Sequence, residues 1–196
     1  MKSIKNNIKN EIIINKSRFI TCIYKVNSIN EIDEYLNKIK LDYKDATHCC
    51  YAYIIDGINK CSDDNEPSGT AGLPILNVLK NYDLNYVLCI VIRYFGGIKL
   101  GAGGLVRAYS NSVSKALENE QLYNLVQGKI IKVSFKYDNI KQIDYILKNT
   151  NIINKDYSED ITYTTEITNE EYNQIYDTLN NISNIEIIEE KKLSIP

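Results

Sequence analysis

The stretch YVLCIVIRYFGGIKLGAGGLVR, residues 86–107, decides how the first half of the chain folds. Its opening, YVLCIVI, is a continuous apolar run of strand length, the pattern of a central strand buried on both sides. Five glycines and three basic residues then crowd into residues 93–107. A tight junction between a buried strand and a helix needs backbone freedom. Gly96, Gly97, Gly101, Gly103 and Gly104 supply it, at about 0.5–1 kcal/mol each relative to alanine inside an element. Two readings stay open: a helix N-terminus and successive N–H groups forming an anion cradle with charge from Arg93, Lys99 or Arg107, or glycines that only let the helix pack close to the sheet. No Gly-Lys-Ser/Thr follows, so this is not a nucleotide P-loop, and no βαβ unit with a later ribose-binding acid supports a dinucleotide fingerprint.

Downstream, Leu105, Ala108, Val113, Ala116 and Leu117 point one helix face at a core, while Arg107, Asn111 and Lys115 recur four apart on the polar side. Upstream, EIIINKSRFITCIYKV (11–26) reads as two strands turning near Asn15 to Ser17. Ser28 and Glu31 form a capping pattern for a helix carrying Ile32, Leu36 and Ile39. HCCYAYIID (48–56) reads as a further strand, followed by a polar excursion through GINKCSDDNEPSG, the longest loop of this half. A helix is expected from about Gly72, with Pro74 in its first turn and Ile75, Val78 and Leu79 inward.

After Glu120 the order becomes strand 128–137, helix 139–149, strands 151–157 and 161–167, helix 169–181 and strand 184–192. This βαββαβ order fits a ferredoxin-like sandwich, so the chain is read as an α+β protein with domains at 1–122 and 123–196.

Fifteen basic face thirteen acidic residues up to Glu120, and eight face twelve after it, so neither half is basic enough by itself to point to nucleic acid. No apolar run is long enough to span a membrane, and the first ten residues lack the core and cleavage site of a secretory signal. The five cysteines are irregularly spaced without a CxxC pair. A cytoplasmic protein with reduced thiols is expected.

The second dense region is CSDDNEPSGTAGLP, residues 61–74. Asp63, Asp64 and Glu66, with Ser68 and Thr70, form a polar-loop site able to hold Mg²⁺ or position water, but turn and cap chemistry is the default reading and no metal is assigned. The lone histidine, His48, shares a strand face with Cys50 and not with Cys49, which leaves zinc short of ligands. The sixteen tyrosines are read mainly as core and rim residues.

KSRFI (16–20), YAY (51–53), SDDNEPSGTAGLPILNVL (62–79) and VIRYFGGIKLGAGGLVRAYS (91–110) together resemble the IMPACT family in its bacterial two-domain form. Asn65 stands where the family pattern usually has glycine, and Cys49-Cys50 where other small or polar residues are common. The resemblance implies a first domain of the ribosomal-protein domain-two type, a mixed or antiparallel sheet with helices on one face, followed by a ferredoxin-like domain. It also implies a cytosolic role around translation or RNA without an established reaction. Eukaryotic relatives look like translation regulators with a further N-terminal recognition domain, and their partner is not carried over.

The leading expectation is therefore a non-enzymatic RNA- or ribosome-binding regulator that holds phosphate with Arg93, Lys99 and Arg107, backbone donors at Gly96, Gly97, Gly101, Gly103 and Gly104, and Lys115 extending the patch. The alternative is a Mg²⁺-dependent nucleotide-binding phosphoryl-transfer enzyme of the small-molecule kinase type, with GAGG (101–104) on phosphate and Mg²⁺ near Asp63 and Asp64. A third reading makes both motifs a protein-docking surface. No cofactor is expected under the leading reading, and the oligomeric state is left open.

Overall fold

The computed structural model describes residues 1–195, in two compact units, Met1–Tyr123 and Asn124–Ile195. The first contains β1 (Lys2–Ile4), β2 (Ile8–Ile14), β3 (Ser17–Lys25), α1 (Ile29–Asp42), β4 (His48–Ile55), β5 (Ile58–Ser62), α2 (Gly72–Asn81), β6 (Val87–Tyr94) and α3 (Gly101–Leu117). Its main sheet runs β2-β3-β6-β4-β5, antiparallel throughout, with β6 at the centre.

The apolar run of β6 explains the layers. Leu88, Ile90 and Ile92 pack with Ile32 and Ile39 of α1, whereas Val87, Cys89 and Val91 pack with Ile75 and Leu79 of α2 and Leu105 and Val113 of α3. All six strand residues are fully buried. The expectation of helices on one face is thereby corrected: α1 covers one face and α2 with α3 the other, because a strand apolar on both sides must be covered on both.

α1 begins at Ser28, whose hydroxyl accepts from Glu31 N–H at 3.3 Å; the Glu31 carboxylate takes the Asn27 N–H at 3.0 Å. The polar excursion after β4 is also corrected. Ile58–Ser62 forms an edge strand paired to β4, closed by Asp56-Gly57 with both residues at positive φ. Asp-Gly is a strong hairpin dipeptide, and a strand at an exposed edge needs no apolar alternation. The short β1 meets Leu84 through backbone bonds of Lys2 to Asp83 and Asn85, a pairing with no local sequence signal.

β7 (Leu122–Phe135) starts at the end of the first unit and lies mostly in the second, which also contains a 3-10 turn at Tyr137–Asn139, α4 (Ile140–Ile146), β8 (Asn151–Tyr157), β9 (Ile161–Thr168), α5 (Asn169–Asn180) and β10 (Asn184–Ile195). Its strands run β8-β9-β7-β10, all antiparallel. Ile131, Val133, Phe135, Tyr163, Ile143 and Leu179 form its core, and Thr168 with Glu171 closes a reciprocal capping box on α5.

The β2–β3 turn, Asn15-Lys16 at φ 45° and 62°, sits against the glycine junction. A Cβ on Gly96 would lie 2.0 Å from the Lys16 carbonyl carbon. Gly96→Ala is therefore expected to lower stability by about 1–3 kcal/mol, the cost of overpacking, in urea unfolding. An unchanged midpoint would mean that the hairpin tip does not rest on this glycine.

Candidate functional site

The loop between β5 and α2 is wound around Asp63. Its carboxylate accepts N–H bonds from Gly69 (2.8 Å), Ala71 (3.0 Å) and Gly72 (2.8 Å). Burial by itself raises its pKa, but the three donors outweigh burial and hold the carboxyl below its ordinary value. Asp64 accepts from Cys49 N–H at 2.6 Å through its carboxylate, and its carbonyl accepts from His48 Nδ1–H at 2.8 Å. Asp64 and Asn65 both adopt left-handed φ, 42° and 65°, a conformation asparagine tolerates better than most residues. Thr70 is buried and bonds the Pro67 carbonyl at 2.6 Å, while Ser68 is exposed.

Glu66 turns inward. Its Oε1 accepts from Arg93 NH1 at 2.6 Å and from the Tyr109 hydroxyl at 2.8 Å, and its Oε2 lies 3.8 Å from His48 Nε2. The Arg93 side chain is 5% exposed and the Glu66 side chain 3%. The guanidinium lies over Phe19 and Phe95, 5.5 Å from each ring centroid, and donates to Ser17 Oγ at 3.4 Å. The structure thus separates Arg93 from the phosphate-facing cations proposed beside it: β6 sends this side chain into the interior, where Glu66 takes its charge. Burial, then Cys50 and Glu66, push the Tyr109 hydroxyl far above its ordinary pKa.

The Cys50 thiol donates to the Asp63 carbonyl at 3.0 Å, and burial pushes its pKa up to about 12. It is a small core group, not an activated nucleophile. Among the described residues no three His, Cys, Asp or Glu side chains converge as a metal site.

The glycine junction has a different character. Gly97 and Gly101 take positive φ, and α3 starts at Gly101 without a side-chain cap and without an acid in its first turn. Gly103 and Gly104 lie in that first turn. Gly104 packs on Leu100, whereas beyond its chain neighbours and the backbone of its own helix a Cβ built on Gly103 would meet only Arg107 Nη1, at 3.7 Å. Lys99 and Arg107 are exposed and form no ion pair among the described residues. Lys115 instead pairs with Glu118 at 2.7 Å, about 12 Å along the helix from Arg107.

Two contributors, Tyr109 and Ser17, were given no part in the site by the sequence reading, which took the tyrosines near the dense loops as structural. Tyr109 sits on the buried stripe of α3, where a hydroxyl must find a partner; Ser17 starts β3 and accepts from Gly96 N–H at 3.2 Å. Their placement in one helix face and one strand was visible, but their common neighbour was not.

Arg93→Met is expected to cost about 3–5 kcal/mol in denaturant unfolding because it strands the Glu66 charge, and Glu66→Gln in the same chain should recover part of that loss. Simple additivity of the two changes would refute the pairing. For Asp63, the depressed folded pKa means that its stabilisation is present above the unfolded value of 3.8 and is lost as pH falls through the lower folded value. Asp63→Asn should be less stable than the parent at neutral pH, and the difference should shrink under acid; a pH-independent difference would contradict the N–H-bonded carboxylate.

The Impact N-terminal domain matches residues 15–117, a span that contains both dense loops. The chain is 40% identical over 187 residues to the IMPACT family member YvyE of Bacillus subtilis (strain 168), covering 93% of this chain and 86% of that protein. It is 32% identical over 151 residues to YigZ of Escherichia coli (strain K12), covering 74% of each. A crystal structure of a hypothetical protein superposes with a TM-score of 0.62 at 27% identity, covering 97% of this chain and 98% of that one. With Glu66 and Arg93 joining the two loops inside the matched domain, the chain belongs to the IMPACT family in its bacterial, two-domain form.

Proposed function

We propose that this protein is a non-enzymatic, translation-associated regulator that binds RNA or the ribosome through phosphate contacts at the start of α3. The observation that carries the reading is the Arg107 guanidinium lying over Gly103, in an uncapped first turn free of acids, with Lys99 just before it. Unsatisfied N–H groups and two cations without acid partners favour an anion. Gly103 supports the same reading: it carries the helix cost of glycine although no packing contact requires its small size. In fold terms we read the first domain as the ribosomal-protein domain-two type. The antiparallel order β8-β9-β7-β10 with two helices supports a ferredoxin-like second domain. Among the described residues no helix is long and apolar enough to cross a membrane, and we place the protein in the cytoplasm.

The phosphoryl-transfer alternative has less support, since the Asp63 carboxylate already takes three N–H bonds and Glu66 is paired internally. Protein docking at the same face is the other reading, and nuclease treatment separates it from RNA binding.

Binding to ribosomes and total RNA at two salt concentrations tests the proposal. Lys99→Ala/Arg107→Ala should weaken binding and flatten its salt dependence, by about 0.7 in log–log slope for each lost contact to single strands. Gly103→Ala makes a sharper demand: stability rises by about 0.5–1 kcal/mol through helix propensity, while the added methyl weakens RNA binding. A stabilised variant with unchanged affinity, or a double variant with parental salt dependence, would rule out this phosphate site.

A further inference from the structure

Beside the start of α3, the tip of the β2–β3 hairpin stands over the outer side of the helix. Ile14 and Asn15 on one wall and Leu100, Gly104, Arg107 and Asn111 on the other line an open groove of about 640 Å³. This volume lies within the usual range for small-molecule sites. The walls are preformed: Asn15 and Lys16 hold a left-handed turn, and the close approach of Gly96 to the Lys16 backbone seats that turn on the junction before α3.

The lining has a definite chemistry. It contains no carboxylate, and its one charge is the Arg107 guanidinium, which has no acid partner among the described residues. Ile14, Leu100 and Val106 supply an apolar surface, Asn15 and Asn111 supply amides with both donors and acceptors, and Ser110 and Ser114 supply hydroxyls. Apolar wall, amide edge and a single cation match the three parts of a nucleotide: base face, base edge and phosphate. A carboxylate-free site with one cation disfavours cationic ligands, and the amides give an aliphatic chain nothing to offset their desolvation.

We infer that this groove seats one nucleotide of single-stranded RNA, with phosphate on Arg107, the base against Ile14 and Leu100, and its edge on Asn15 or Asn111. The inference rests on the RNA reading above and adds a strand preference to it. In an A-form duplex the bases are stacked and paired, so they cannot enter such a groove, whereas an unpaired strand can turn one out. The contacts are not enough to specify a sequence; they specify an unstacked base.

Fluorescence anisotropy with a short single-stranded RNA and with the same RNA annealed to its complement, at one salt concentration, tests this. Asn111→Leu, at an exposed helix position, replaces the amide with an apolar side chain of similar size while leaving Lys99 and Arg107 in place. The parent should prefer the single strand, and Asn111→Leu should lose about tenfold in affinity for it with little change for the duplex, the scale of one base contact. Equal binding of both RNAs, unaffected by Asn111→Leu, overturns the groove and leaves phosphate recognition standing. If neither RNA binds, saturation-transfer NMR with free adenosine and uridine monophosphates separates the two claims. A signal abolished by Asn111→Leu supports a nucleotide groove and removes the polymer. No signal overturns both.

Discussion

The buried pair of Glu66 and Arg93 is the constraint on which the first domain depends. A charge withdrawn from water is tolerated only with its counter-charge in place. Glu66 meets that demand with Arg93 and Tyr109, and Arg93 adds Ser17 and the faces of Phe19 and Phe95. These residues come from the loop before α2, the end of β6 and the segment after it, α3 and β3. Satisfying one ion pair therefore brings together four parts of the chain that are far apart in sequence.

The pair also divides labour among the cations. Arg93, at the inner end of β6, belongs to the interior and fixes the strand's exit, while Lys99 and Arg107 lie beyond the glycines on the outside. Gly96 allows the β2–β3 turn to rest on that exit, and Asp63 winds the acidic loop into backbone donors. The question raised by the glycine-rich stretch thus has a divided answer. Gly96 serves close approach, Gly97 and Gly101 serve backbone conformation and Gly104 packs on Leu100, which leaves Gly103 as the glycine without a structural demand on it.

Much of the fold was legible because its signals are local. The seven-residue apolar run before Arg93 announced a strand covered on both sides, the Ser28 cap marked a helix start, and the βαββαβ order of the second half needed only periodicity. The Asp56-Gly57 hairpin was equally legible as a dipeptide but was obscured by the polarity of an edge strand. β1 was not, because its three residues carry no local strand signal and gain their pairing from residues far along the chain.

For the candidate site, the sequence by itself determined which residue types stand in the two dense loops, the positions of the glycines and the spacing of Arg107 and Asn111 on one helical face. It could not determine which charges face water. Arg93 and Arg107 are alike as letters, and only the tertiary structure decided that one is neutralised by Glu66 in the core while the other remains exposed above Gly103. The reason is physical: helical and strand periodicities are set by neighbours a few residues away, whereas desolvation and ion pairing are set by whatever the completed fold brings within a few ångströms.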